Sequence, residues 1–205
     1  MPRVVDETTF FYELPSRAAF RSCARVPDPE PTFVRVSVPC PPLNRMLYAA
    51  VGAKWWWVDR LPWSQEQWLS VLTAEGYETQ VAYLGGAPCA YVELATPTDT
   101  GKWDRACSPS VSEGLQPPPA QPRVETKIEY FGVLDGHHGR GIGGWLLGRA
   151  VERAFARGSS RVLLTTSSLD HHAARANYEA RGFVLRHQET AQKTLPDVRP
   201  GVFGA

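Results

Sequence analysis

Val133-Leu-Asp-Gly-His-His-Gly-Arg-Gly-Ile-Gly-Gly-Trp-Leu-Leu147 is the stretch on which the fold turns. The residues leading into it, Ile128 to Leu134, read as an apolar strand, and Ile142 to Arg157 repeats apolar side chains at helical spacing. Between them, glycines at 139, 141, 143 and 144 make a turn in which no Cβ blocks the approach of a ligand to backbone N–H groups. The helix that opens behind the turn adds unpaired donors and partial positive charge. A strand, a glycine turn and a helix in this order form a cradle for a phosphate or pyrophosphate.

Working outward, the chain divides into strand and helix patterns. Phe33, Val34, Val36 and Val38 predict a strand over 32–38, and Pro39, Pro41 and Pro42 open a helix over 43–51. Ser64 with Gln67 three residues on forms the signature of a capped helix running to Glu75, stopped by Gly76. Residues 78–83 and 88–94 predict two strands joined at Gly85-Gly86. The strand over 124–134, the glycine turn and its helix follow, then a strand over 161–166, a short helix over 173–181 and a strand over 183–188. Antiparallel hairpins preceding a β-α-β unit predict a mixed α/β sheet, mostly antiparallel, with helices on both faces.

The proline-punctuated residues 1–31 read as a loosely packed N-terminal arm, 32–190 as the domain, and 191–205 as an irregular tail. Residues 95–123, rich in Pro, Ser, Thr and Gly, read as an inserted mobile loop.

Composition narrows the function. With 205 residues and a net charge of +1, the chain has the size of one domain and no strong field for nucleic acid or an anionic membrane. No segment has the run of about 18 apolar residues that crosses a bilayer. The opening Met-Pro-Arg-Val-Val-Asp-Glu lacks an apolar signal core. Cysteines 23, 40, 89 and 107 are scattered, which argues against a zinc site or disulfide framework and fits a reducing cytoplasm.

Gly139-x-Gly141-x-x-Gly144 matches the dinucleotide-binding fingerprint, but that fingerprint belongs in the first β-α-β of a parallel domain, and here it follows antiparallel strands. No Lys-Ser/Thr pair follows the glycines, so a nucleoside-triphosphate loop is excluded. His138-Gly-Arg-Gly-Ile-Gly143 instead resembles the Arg/Gln-x-x-Gly-x-Gly/Ala motif of the GNAT superfamily of acyl-CoA-dependent N-acyltransferases. Farther on, Ala174-Arg-Ala-Asn-Tyr178-Glu-Ala-Arg-Gly-Phe183 resembles the family's second signature, Ala-x-x-x-Tyr-x-x-x-Gly-Phe. Three blocks, Trp55 to Leu61, Tyr91 to Leu94 and Leu169 to His171, resemble actinobacterial-type members. The chain departs from the family where His138 replaces Arg/Gln, Asp135 replaces a common Pro, and His171 stands where Asn is frequent.

The resemblance implies a GNAT fold and an acetyl-CoA cosubstrate. It implies transfer of an acetyl group to a primary amine on a small molecule, peptide or protein, with no metal, and it leaves a homodimer open. It places coenzyme contacts at Phe131, Val133, His138, Gly139, Arg140, Gly141, Ile142, Gly143, Gly144 and His171. Tyr178 matches the family tyrosine that protonates the leaving thiolate. Alternation puts 125, 127, 129 and 131 on one strand face, and where some members carry a carboxylate this chain has Lys127, so Glu129 is the nearest candidate base. Trp55 and Trp57 are candidates for an acceptor-binding wall, and Asp59 and Glu93 for attracting an ammonium. Two other readings stay open: a non-catalytic acyl-CoA-binding module on the same fold, which Tyr178 disfavours, and a nicotinamide-dependent oxidoreductase, which rests on the glycine pattern alone.

Overall fold

Alternating apolar and polar side chains carry the strands. β6 (Arg161–Ser167) buries Val162, Leu164 and Thr166 and leaves the intervening residues partly open. The computed structural model describes residues 2–23, 25–96 and 124–199, and the insertion expected at 95–123 lies almost wholly outside the described residues. Among the described residues seven strands form one sheet in the order β2-β3-β4-β5-β6-β1-β7. They are β1 (Arg3–Leu14), β2 (Thr32–Arg35), β3 (Tyr77–Leu84), β4 (Ala87–Ala95), β5 (Glu125–Val133), β6 and β7 (Val184–Leu195). Every neighbouring pair is antiparallel except β5 and β6. The mixed, mostly antiparallel architecture is the one expected.

Among the described residues four α-helices cover the two faces. α1 (Pro41–Gly52) starts on its prolines, and α2 (Gln65–Leu72) is closed at its start by both halves of the Ser64–Gln67 capping box. α3 (Ile142–Ala156) buries Leu146, Leu147, Ala150, Val151 and Ala154 against Tyr12, Val92, Leu94, Ile128 and Leu164. α4 (Ala174–Ala180) buries Tyr178 in the same core. On the other face Leu47 and Val51 of α1 pack on Val81 and Tyr91. Gly132 is required there by proximity: a Cβ on it would stand 2.2 Å from Val51 Cγ1.

The N-terminal segment corrects the expectation of a loose arm. β1 lies between β6 and β7, pairing Thr9 with Ser167 and Arg3 with Leu195, and buries Phe10, Tyr12 and Leu14. Residues beyond it also pack. A Cβ on Gly182 would stand 2.0 Å from the Ala19 carbonyl, one on Gly144 would stand 2.9 Å from Cys23 Sγ, and one on Gly141 3.1 Å from the Arg25 side chain. The tail is shorter than expected, because β7 continues through Leu195 and Leu195 is fully buried.

Candidate active site

β5 and β6 pair in parallel from Glu125↔Arg161 to Ile128↔Leu164, and their register ends there. Beyond this point the two strands part, and the edge of β5 over 129–133 faces a cleft instead of a neighbour. On its other edge β5 carries a bulge: Leu94 pairs with Ile128 and Glu93 with Tyr130, which leaves Glu129 as the extra residue. The bulge corrects the expected alternation over 125, 127, 129 and 131, since the period of two is reset at Glu129.

A cavity of about 850 Å³ occupies the cleft. Its lining includes Gly139, Gly141, Gly143 and Gly144, with Gly139 and Gly141 at φ 74° and 84°, conformations that side chains resist. Gly141 is the N-cap of α3, so the free N–H groups of that helix's first turn stand at the glycine turn. Phe131, Val133, His138 and His171 also line the cavity. Ile142 does not: its side chain is 1% exposed in the core, so only its backbone is available. Arg140 is exposed and likewise lies off the cavity wall.

Tyr178 reaches the cavity from α4 while remaining 6% exposed, with Phe131 6.1 Å from its ring centroid. Burial, reinforced by the negative charge of Asp170, pushes its phenol above the ordinary tyrosine value. It therefore stays protonated at neutral pH. Glu129 lines the same space and accepts a hydrogen bond from Lys127 Nζ at 3.2 Å.

Trp55 and Trp57 line the cavity. Trp57 has two further roles: its indole N–H donates to Asp170 Oδ1 at 2.9 Å, and its ring contacts Tyr48 and Tyr130 at centroid distances of 5.5 and 5.3 Å. Asp59 lines the cavity near its exposed rim. Glu93 does not. It is 0% exposed beneath the wall, accepts hydrogen bonds from Asn44 Nδ2 (2.7 Å) and Tyr77, and forms a 3.0 Å ion pair with Arg60. Arg60 itself lies over the Tyr130 ring at 4.2 Å. This set braces the aromatic wall from below, and Glu93 is removed from the candidates for binding an acceptor.

Loop tips meet over the mouth. His138, after β5, stacks on His171, after β6, at 5.1 Å, and His171 stacks on His172 at 4.3 Å. The Trp55 ring meets His171 edge-on at 5.0 Å, and Lys54 pairs with Asp135 at 2.7 Å. Among the described residues, no group of three or more His, Cys, Asp or Glu comes together in a metal-binding arrangement. Sequence reasoning missed Glu7, Thr9 and Lys193, which line the cavity from β1 and β7. The alternation Phe10, Tyr12, Leu14 carried the signal for β1.

The family model for the acetyltransferase (GNAT) family matches residues 44–183, and the chain belongs to that family. Its fold is that of the GNAT family. No curated protein matches the sequence significantly. Among solved structures, a GCN5-related N-acetyltransferase from Kribbella flavida is similar with TM-score 0.56 and 15% identity, over 95% of this chain and 60% of that one. An aminoglycoside acetyltransferase from an uncultured soil metagenomic sample, in complex with sisomicin, has TM-score 0.56 and 13% identity, over 75% of this chain and 89% of that one. A conserved protein of unknown function from Staphylococcus epidermidis has TM-score 0.53 and 15% identity, over 94% of this chain. This chain spans 64% of the Staphylococcus protein's length, just under two thirds. At these identities the likeness is one of fold.

Proposed function

We propose that the protein is an acetyl-CoA-dependent N-acetyltransferase acting on a primary amine. The observation that carries the reading is convergence: one cavity brings the glycine turn, the unpaired edge of β5, and the buried hydroxyl of Tyr178 together.

The coenzyme pyrophosphate sits on the backbone N–H groups of 139–144 at the start of α3. Its pantetheine arm lies along the β5 edge from 133 towards 129, as an added strand would. The amine gives up a proton to Glu129, directly or through water, and its nitrogen attacks the thioester carbonyl. A backbone N–H near Phe131 stabilises the tetrahedral oxyanion. The C–S bond then breaks and Tyr178 protonates the thiolate, leaving an amide and free CoA thiol. Because burial holds its phenol protonated, Tyr178 is an acid before the reaction and a base only after it.

Tyr178→Phe keeps the ring and its packing and removes the hydroxyl. Turnover, followed by CoA thiol release, should fall by about 10²–10⁴, the usual worth of general acid catalysis. Acetyl-CoA affinity should change little. Retention of more than half the wild-type turnover, with chemistry rate-limiting, would sink the assignment. A thermal-shift comparison of acetyl-CoA, CoA and NAD(H) tests the coenzyme independently, because a ligand that binds the native state raises its stability.

A further inference from the structure

We propose that Asp170 is a positioning residue for the acyl transfer: its one carboxylate fixes the indole of Trp57 and, through Thr166, the phenol of Tyr178, so that the acid and the acceptor wall keep a constant spacing. The inference rests on the acyl-transfer reading, in which Tyr178 is the acid and Trp57 faces the acceptor.

Leu169-Asp170-His171 is a block the sequence singles out, and it lies in the turn that follows β6. Asp170, Thr166, Trp57 and Tyr178 all line the same cavity. Asp170 Oδ1 accepts the Trp57 indole N–H at 2.9 Å. Asp170 Oδ2 accepts the Thr166 hydroxyl at 2.7 Å and the Ser167 amide at 2.8 Å. Thr166 is hydrogen-bonded in turn to the phenol of Tyr178. Trp57 stands in the connection between α1 and α2, Thr166 on β6 and Tyr178 on α4. The carboxylate therefore ties together three parts of the chain that reach the cavity separately.

The direction of each bond is forced. An indole N–H and a backbone N–H only donate, and a carboxylate only accepts. Thr166 has a single hydroxyl proton, and Asp170 takes it. Its oxygen has only lone pairs left for the phenol, so Tyr178 must be the donor. Thr166 could turn its proton to a phenolate only by stripping Asp170 of one of its three donors. The carboxylate thus gives the whole chain of bonds one polarity.

That polarity suits an acid. The phenol proton rests on a neutral oxygen and leaves it when a thiolate forms, because a charged acceptor makes the stronger bond. The proton then moves from the Tyr178 oxygen to sulfur as the C–S bond breaks, and Thr166 and Asp170 keep theirs as they are. At the other end, Trp57 cannot turn out of the wall without giving up Asp170, and Asp170 cannot follow it without releasing Thr166. Such coupling matters because a shift of about 1 Å in a reacting group can cost about 10²-fold in rate.

The test follows thiol release from acetyl-CoA with n-butylamine, spermidine and an aminoglycoside, and carries the fastest of these through the variants after their melting temperatures have been compared. Thr166→Val keeps the shape and removes the hydroxyl; kcat should fall about tenfold, with KM for acetyl-CoA and for the amine unchanged. Thr166→Ser restores the hydroxyl and should restore most of kcat. Asp170→Asn should lower kcat and also raise KM for the amine several-fold, because it loosens the Trp57 arm as well. In a Tyr178→Phe background, Thr166→Val should cost nothing further, since no phenol is left to aim. A merely structural Thr166 would cost the same in both backgrounds. An undiminished loss in the Phe background, wild-type kcat in Thr166→Val, or wild-type kinetics in Asp170→Asn would each overturn the proposal while leaving acyl transfer in place. If Asp170→Asn does not fold, the Thr166 variants decide alone. A wild-type protein that binds CoA in a calorimetric titration yet releases no thiol with any of the amines would reject the acyl-transfer reading and this proposal with it.

Discussion

Glu93 and Tyr178 show how burial divides the residues that support a site from those that act in it. Both are nearly inaccessible, yet only Tyr178 reaches the cavity. Glu93 has Arg60, Tyr77 and Asn44 around it, and the Arg60 charge is itself enclosed by Tyr130, Trp63 and Trp68. Burial pushes the Glu93 carboxyl up, and Arg60 and the hydrogen bonds pull it back. Removing one member of such a pair strands a buried charge, so Glu93→Ala should lower the unfolding free energy by about 3–5 kcal/mol in a denaturant titration. Replacing both partners with apolar residues, Arg60→Met with Glu93→Leu, should recover much of that loss. A Glu93→Ala protein that is normally stable but has lost amine selectivity would return Glu93 to the acceptor site. Sequence alone could not make this distinction. Alternation along β4 tells which residues share a face, and says nothing of whether that face meets solvent or the underside of a tryptophan wall.

At the scale of elements, the glycine turn was the clearest signal, because its spacing serves one physical need: close backbone approach at a helix start. Gly141→Val adds a side chain at φ 84°, against the Arg25 stem and beside the proposed phosphate seat. CoA affinity should drop at least tenfold, about 1.4 kcal/mol, in a calorimetric titration. Unchanged affinity would reject this turn as the phosphate seat. The hairpin at Gly85-Gly86, the Ser64 cap and the start of α3 were equally readable, since each rests on a local backbone requirement. The bulge at Glu129 was not, because a bulge is a property of the pairing between two strands.

The histidine stack was also invisible as a unit, because its members lie in different loops. His171 is held below the ordinary histidine value, first by burial and then by His172 and His138. A histidine lowered in the folded state favours folding above its unfolded value, about 6.5, and loses that contribution as pH falls. Asp135, paired with Lys54, lies 3.9 Å from His138 Nδ1 at the edge of the stack. Hydrogen-exchange protection factors, taken against the intrinsic rate at each pH, should therefore fall in 135–141 and 169–173 between pH 7.5 and 5, and His171→Asn should flatten that dependence. Equal protection factors at both pH values would refute the role given to the stack.

For the molecule as a whole, β1 matters most. It was misread because prolines dominate the segment behind it, and because only its second half is buried: Phe10, Tyr12 and Leu14 point into the core, and Val4 is 57% exposed. Yet β1 bridges β6 and β7 and brings Glu7 and Thr9 to the cavity. A chain starting at residue 15 should lose cooperative thermal unfolding, because β6 and β7 would each lose a neighbour and the core three large side chains. A sharp melting transition in that shortened chain would show that β1 is an accessory.

The position of β1 also sets a timetable. The Thr8 amide is held by Ser168, 160 residues farther along the chain, so β1 must wait until β6 has been synthesised. At synthesis rates of about 5–20 residues per second, that delay is roughly 10–30 s. Throughout it, a strand ending in Phe-Phe-Tyr-Glu-Leu has no edge to join. The nascent chain thus passes through a state in which β2 to α3 can assemble while the sheet still lacks its fifth, sixth and seventh places. Completion then depends on a long-range loop closure, the slow kind of step in folding.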